Sequence, residues 1–296
     1  MSEYTVIGGP SSKKLAKKIA KKLKADYLST KVRVFPDGES QITITETSKK
    51  RKIIVVQSTH PPVDTNIIHS LFLISKAREM SPDVCVIMPY MGYAKQDKEF
   101  LRGEIISLSV IIKLFQSAGA TRIIVVDFHS KDALEFFKIP VKNLSAVNLF
   151  ARYFKKMNLK NPLVVSPDLF WKDSAENFAN KINAACIALN KQRNRKSGKL
   201  TILSKKPRLT PGQDLVIFDD MVSTGGSVLK TIEFLGRKNF DRIFLACTHP
   251  VLVGDAENKL YKAGVNKIVS TNSIEGKVTK IDLSDMISKA ILDWKF

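Results

Sequence analysis

The chain has 296 residues, 44% of them hydrophobic, and a formal net charge of +20. That length suits two domains with substantial cores. No apolar run approaches the roughly 18 to 20 residues that cross a bilayer, so no membrane partner is expected. The positive balance attracts polyanions, but it is spread along the chain without a nucleic-acid-binding motif, so no specific nucleic-acid partner is expected. The first residues lack the apolar core of a secretory signal. Cys85, Cys186 and Cys247 lie far apart and read as free thiols of a reducing, cytoplasmic setting.

In chain order, residues 4–7 read as a strand and 8–12 as a turn. A lysine-rich helix follows, with Leu15, Ile19 and Leu23 spaced by four and its cations on a solvated face. Residues 34–44 read as a hairpin-like excursion broken by Pro36-Asp37-Gly38. Residues 53–56 form a buried strand. The helix of residues 65–80 is expected to carry Ile68, Leu71, Phe72 and Ser75 on its inner face. Residues 84–88 are a strand, 105–117 a helix, and 123–126 a strand ending at Asp127. The second half repeats the alternation. It has strands at 163–165, 185–189, 201–203, 215–218, 243–246 and 268–269, with helices at 173–182 and 255–262. A last helix, 283–296, presents Met286, Ile287, Ile291 and Trp294.

Alternating strands and helices imply parallel sheets flanked by helices, with ligands at the carboxyl ends of the strands. Ala-Gly-Ala-Thr-Arg-Ile (118–123) is echoed by Ala-Gly-Val-Asn-Lys-Ile (263–268), which points to duplication. The expected domains are 1–146 and 147–283, with a helix of about 284–296 returning to the first. On this alignment Gln57 to His60 matches the loop after residue 222 but lacks its glycines.

The most informative stretch is residues 214–235, DLVIFDDMVSTGGSVLKTIEFL. An apolar strand is followed by Asp219 and Asp220, then Ser223, Thr224, Gly225, Gly226 and Ser227, then Val228, Ile232 and Leu235 at helical spacing. Free amides at a helix start favour an anion, and glycine lets the backbone approach a phosphate. Two carboxylates suit sugar hydroxyls or a metal, so a sugar phosphate meets both needs. The alternative is a strand-to-helix turn with ordinary capping residues. No Gly-Lys-Ser/Thr triplet makes this a nucleotide P-loop.

Three further stretches follow strands or turns. Phe35-Pro36-Asp37-Gly38-Glu39 reads, alone, as a hairpin turn. Residues 89–98 combine Tyr90, Tyr93, Lys95, Gln96 and Lys98, a set able to stack a base and hold phosphates, or a polar surface loop. Asp127 and His129 leave a strand two residues apart and suit a magnesium–phosphate complex or acid–base work; a lone histidine is more often structural.

The stretch 214–235 resembles the ribose 5-phosphate loop of phosphoribosyltransferases and phosphoribosyl diphosphate synthetases. With the Phe35 turn, the Pro89–Lys98 stretch, Asp127-Phe128-His129, Ser166-Pro167-Asp168 and Lys191-Gln192-Arg193, nearly the whole chain resembles the second family, also called ribose-phosphate diphosphokinases. The resemblance implies two duplicated phosphoribosyltransferase-like domains, each a mainly parallel sheet flanked by helices. It implies an enzyme taking ATP, ribose 5-phosphate and Mg2+, working as a homo-oligomer with an ATP site shared between subunits. Phe35, Asp37, Gly38 and Glu39 would meet a neighbour's adenine, and Lys95, Gln96 and His129 would hold ATP. Asp127, His129 and Asp168 would site the metal. Asp168, Asp219, Asp220 and residues Ser223, Thr224, Gly225, Gly226 and Ser227 would hold ribose 5-phosphate. Lys191, Arg193 and His129 would act in catalysis, the first two on a lid formed by residues 190–199. Three departures stand out: Lys95 where the family has arginine, Leu169-Phe170-Trp171 where it has glycines, and Lys142 where many members have aspartate. A catalytically silent, synthetase-like regulatory subunit is the alternative.

Overall fold

The computed structural model describes residues 3–46, 52–193 and 200–294; for Gln192, Arg193 and Leu200 it describes the backbone alone. The chain forms two compact units. One comprises residues 1–144 with 273–275 and 282–296, and the other residues 145–272 with 276–281.

In the first unit, the apolar run after residue 3 makes β1 (Tyr4–Gly8), buried throughout. Helix α1 (Lys13–Leu23) buries Leu15, Ala16, Ile19, Ala20 and Leu23, the stripe that the spacing predicts. Strands β2 (Asp26–Leu28), β3 (Thr30–Val34), β4 (Ser40–Ile44) and β5 (Lys52–Val56) precede α2 (Val63–Met80). Then come β6 (Asp83–Met88), α3 (Ser107–Ser117), β7 (Arg122–Val126) and β8 (Val141–Leu144). The main sheet runs β2-β1-β5-β6-β7-β8, and β3 and β4 form a separate two-stranded sheet. Every pairing in the main sheet is parallel.

The second unit follows the same plan. It runs α4 (Val147–Phe154), β9 (Leu163–Ser166), α5 (Lys172–Lys181), β10 (Ala185–Ala188), β11 (Lys191–Arg193) and β12 (Leu200–Ile202). Next are β13 (Gln213–Val222), α6 (Gly226–Leu235), β14 (Phe240–Pro250), α7 (Ala256–Lys262), β15 (Lys267–Thr271) and β16 (Thr279–Ile281). Its main sheet runs β10-β9-β13-β14-β15-β16, with β11 and β12 paired antiparallel to the side. Position by position this is the order of the first sheet. Each unit also inserts its two-stranded excursion between the edge strand and the third strand of the sheet.

Alternation along a strand sends neighbouring side chains to opposite faces. Leu215 and Ile217 of β13 join a core with Val228, Ile232, Leu235 and Leu260. Phe218 turns the other way, stacked on Phe178 at 4.6 Å and edge-on to Phe150 at 5.3 Å. Sequence reasoning did not foresee α4, which brings Phe150 and Phe154 to that face.

The C-terminal helix α8 (Ser284–Leu292) is part of the first unit and packs on α1. Lys14, Lys18 and Lys22, spaced by four on α1, pair with Glu275, Asp282 and Asp285. These exposed pairs contribute about 0–1 kcal/mol each; the buried Ile287 and Ile291 contribute more. Lys142 lies 4.7 Å over the Trp294 ring and Arg122 5.6 Å from it. The cation at position 142 is thus engaged with the tail of the C-terminal helix.

The predicted inner face of α2 is wrong in phase. Ile68 and Phe72 are exposed, and Ile67, Ser70, Leu73, Ile74, Ala77 and Met80 face the core. The helix is apolar on more than one side, so periodicity alone does not choose its inner face.

Asp214, the second residue of β13, is fully buried. Its carboxylate accepts from Arg242 Nε at 2.9 Å and from the Lys160 amide at 2.7 Å. Burial pushes this carboxyl up, but the hydrogen bonds from Arg242 and Lys160 outweigh it and hold the group below its ordinary value. Arg242→Ala should therefore cost about 2–4 kcal/mol at neutral pH, because a buried charge loses its partner. A depressed carboxyl stabilises above its ordinary pKa, and that contribution fades as pH falls through the folded-state value. Urea unfolding should show the mutant's deficit at pH 7 and its shrinkage toward pH 3; an equal deficit at both would contradict the assignment.

Candidate active site

The acidic pair lies inside β13 rather than after it. The predicted strand of residues 215–218 extends to Val222, because β14 pairs with it as far as Val222↔Pro250. Asp219 and Asp220 are accordingly almost fully buried. Asp219 accepts from the Asp220 amide at 3.0 Å and Asp220 from the Met221 amide at 2.7 Å. Cys247 stands opposite Asp219 on β14. Burial, then the two carboxylates, push its thiol well above the ordinary value, so this cysteine is an inert apolar group.

Ser223 to Ser227 make the turn from β13 into α6. Gly225 caps the helix with φ 78, a conformation that favours glycine. The first turn of α6 carries no acidic residue, so its amides and dipole are left for an anion. The turn is braced from behind by the amides of Leu252 and Val253, which donate to the carbonyls of Val222 and Ser223 at 2.9 and 3.2 Å. Leu252 does this at φ 41, strained for a bulky residue. The sequence analysis did not single out this brace.

Asp168 and Lys191 meet in this unit. Lys191 Nζ is 2.7 Å from the Asp168 carboxylate and 3.1 Å from Ser227 Oγ. The loop after β9, the base of the β11–β12 hairpin and the start of α6 thus converge on one ammonium. The other Asp168 oxygen accepts from the Trp171 amide at 3.2 Å. The bulk of Leu169-Phe170-Trp171 is divided: Trp171 is buried against Phe218, and Leu169 and Phe170 are exposed. Residues 194–199 of the expected lid and the Arg193 side chain lie outside the described residues.

In the first unit the loop equivalent to Ser223–Ser227 is filled. Gln57, Ser58 and Thr59 are fully buried. Gln57 Nε2 donates to Asn66, and its side-chain oxygen accepts from the Ser11 amide. Ser58 Oγ donates to the Ser273 carbonyl, and Thr59 Oγ1 accepts from the Gly92 amide at 2.7 Å. A Cβ on Gly9 would lie 2.1 Å from Gln57 Oε1. Asp64 occupies the first turn of α2, which answers the dipole internally.

Other first-unit residues line a different opening. A cavity of about 520 Å³ is lined by Lys95, Gln96, Lys98, Phe100, Glu104 and Ser107, among others. Ser107 Oγ donates to Gln96 Oε1 at 2.9 Å. Asp127 and His129 leave β7, next to β6 in the sheet. Asp127 is buried at φ 40, and His129 is half-buried. Phe35 closes the exposed tip of the β3–β4 hairpin through its amide to the Glu39 carbonyl at 2.8 Å, with Gly38 at φ 92. Arg33 lies 4.8 Å from the Phe35 ring. Among the described residues no three His, Cys, Asp or Glu side chains gather as a metal cage. Magnesium needs less: one or two carboxylates and the substrate's phosphates, which Asp127 at its strand exit fits.

Residues 4–119 match the N-terminal domain of ribose phosphate pyrophosphokinase, and residues 145–282 the phosphoribosyl transferase domain. A ribose-phosphate pyrophosphokinase of Methanobrevibacter smithii is 33% identical, over 97% of this chain and 100% of its own. The chain belongs to the ribose-phosphate pyrophosphokinase family. A relative of that name from Methanosarcina mazei is 34% identical over 97% of this chain and 94% of its own. The fold is that of the phosphoribosylpyrophosphate synthetase of Mycobacterium smegmatis, with a TM-score of 0.86, 24% identity and 98% of both chains covered. The family likeness gives the duplicated sheets their meaning: both units are of the phosphoribosyltransferase type.

Gly225 offers a direct check on the turn. A Cβ there meets Leu260 at 3.3 Å and the backbone is left-handed. Gly225→Ala should cost about 1–2 kcal/mol in urea unfolding and raise the KM for the sugar phosphate. Unchanged stability and KM would remove the glycine from the argument.

Proposed function

We infer that this chain is a ribose-phosphate diphosphokinase. It transfers the β,γ-diphosphoryl group of Mg–ATP to the 1-hydroxyl of ribose 5-phosphate, giving phosphoribosyl diphosphate and AMP. The observation that carries this reading is the pairing of an acidic strand end and an open glycine turn in one unit with a filled equivalent in the other. A phosphoribosyltransferase needs only the first. A second unit of the same plan, with its sugar-phosphate turn closed and a basic cavity elsewhere, suits a nucleotide donor. Full-length relatives carry the enzyme's name, and the chain keeps Lys191, Arg193 and the whole sugar-phosphate turn. A silent regulatory subunit has no use for these.

Asp219 and Asp220 accept from the ribose 2- and 3-hydroxyls, and Ser223 to Ser227 hold the 5-phosphate. Asp168 stands on the diphosphate side of the sugar. Lys95, Gln96 and His129 hold the ATP phosphates, with Asp127 and His129 toward the metal. Magnesium supplies charge neutralisation on the transferring phosphates. Lys191 and Arg193 take up charge that develops on the diphosphate as it leaves AMP. Lys95 keeps the charge of the family's arginine without its two-pronged fork. The rate gain comes chiefly from holding the two substrates in line. The three free cysteines support a reducing, cytoplasmic setting.

AMP release from ATP should depend strictly on ribose 5-phosphate. Lys191→Ala and Arg193→Ala, with folding checked by circular dichroism, should each lower kcat about 10²-fold or more with smaller changes in KM. Folded variants within about twofold of wild type would return the 190–199 stretch to a linker.

Assembly follows from the exposed tip at Asp37, Gly38 and Glu39. These residues, with Phe35, are well placed to complete the adenine site of a neighbouring subunit in a homo-oligomer. A mixture of an Asp37/Glu39 double mutant and a Lys191 mutant should then regain activity that neither has alone. Mixed oligomers without recovery would refute the shared site.

A further inference from the structure

We propose that Asp168 is a positioning residue for Lys191, acting through the ammonium rather than on ribose or metal. The inference rests on the diphosphokinase reading above. Its first support is the ion pair itself, 2.7 Å long between side chains each about four-fifths covered. Its second is that both partners have fixed backbones. Leu189 is fully buried and its amide donates to the Ser166 carbonyl at 3.0 Å. The excursion that follows is closed at its base by Leu203 N to Asn190 O at 2.8 Å and by Asn190 N to Ser204 Oγ at 2.7 Å. Lys191 is therefore the first residue beyond an anchored base, and its backbone is set before any substrate arrives.

Asp168 is held equally well. One carboxylate oxygen is engaged by the Trp171 amide, and its own carbonyl accepts from Ser166 Oγ at 2.7 Å. Trp171 in turn is locked into the aromatic core beside Phe218. This gives the bulky residue at position 171 a role: the indole ties the Asp168 loop to the sheet. The free carboxylate oxygen then selects one position for a long, flexible side chain. That position is 3.1 Å from Ser227 Oγ, at the rim of the sugar-phosphate turn.

Magnitudes favour a guide over a trap. A partly exposed lysine–carboxylate pair contributes little, whereas a charge-assisted bond to phosphate is stronger. Asp168 can thus narrow the rotamers of Lys191 while the site is empty and yield it to the diphosphate during transfer. Without that narrowing the ammonium is misplaced by an ångström or more, an error able to lower a rate by about 10²-fold.

The test is a kinetic cycle of wild type, Asp168→Asn, Lys191→Ala and the double mutant, with ribose 5-phosphate affinity measured by calorimetry. Asn keeps an acceptor for the Trp171 amide, so folding should survive. Asp168→Asn should lower kcat about 10- to 100-fold, leave the ribose 5-phosphate Kd within about twofold, and add nothing to Lys191→Ala. Multiplying losses in the double mutant, a Kd that weakens as much as kcat falls, or a shifted magnesium requirement would show that Asp168 acts on substrate or metal directly, and would overturn the proposal. A readout free of turnover is acetylation of Lys191, followed by mass spectrometry. It should rise severalfold in Asp168→Asn, and an unchanged extent would also overturn the proposal. If wild type released no AMP yet labelling rose, the reaction assignment would fail while the contact stood.

Discussion

Strand β13 holds the site together. All ten of its residues are buried, yet three of them, Asp214, Asp219 and Asp220, are carboxylates. Pairing with β14 extends this strand beyond the end of β9, which faces only Leu215 to Ile217. The extension carries Asp219 and Asp220 to the carboxyl end of the sheet while their backbone stays in the ladder. A carboxylate there needs donors, and each takes the next amide along. The turn that follows inherits its direction from this strand, and its backbone carbonyls are fixed by Leu252 and Val253. At the other end of β13, Asp214 and Arg242 fix the strand's start.

Duplication explains how one plan serves two tasks. The two sheets share strand order, and both insert an antiparallel pair after the edge strand. What differs is the chemistry of equivalent loops. After β13 the turn is small, and no acidic residue occupies the first turn of α6. After β5 it is built from Gln57, Ser58 and Thr59, whose side chains satisfy one another's neighbours in a buried network. A satisfied network rigidifies the loop and removes the anion site together. The first unit keeps a basic cavity instead.

Charge was legible as a total and not as a pattern of contacts. The lysines of α1 read correctly as a solvated face, but three of them meet acids from segments more than 250 residues later. Lys142 looked like a departure in a metal site, and the fold gives it the Trp294 ring. Leu169-Phe170-Trp171 looked like bulk in a diphosphate loop, and the fold sends the largest ring inward. In each instance the partner is distant in sequence, so no local rule could supply it.

The sequence by itself determined the alternation of strands and helices, the duplication and the small-residue turn beside the acidic pair, because period, small-residue loops and acidic pairs are local signals. It also marked Lys191 and Asp168 as residues of interest. It did not determine the inner face of α2, whose apolar residues lie on more than one side. It did not place the acidic pair within the strand, since strand length is set by the neighbour's pairing. Only the tertiary structure decided that Lys191, Asp168 and Ser227 share one contact, for they come from the start of β11, the loop after β9 and the first turn of α6, which the parallel sheet gathers at its carboxyl edge.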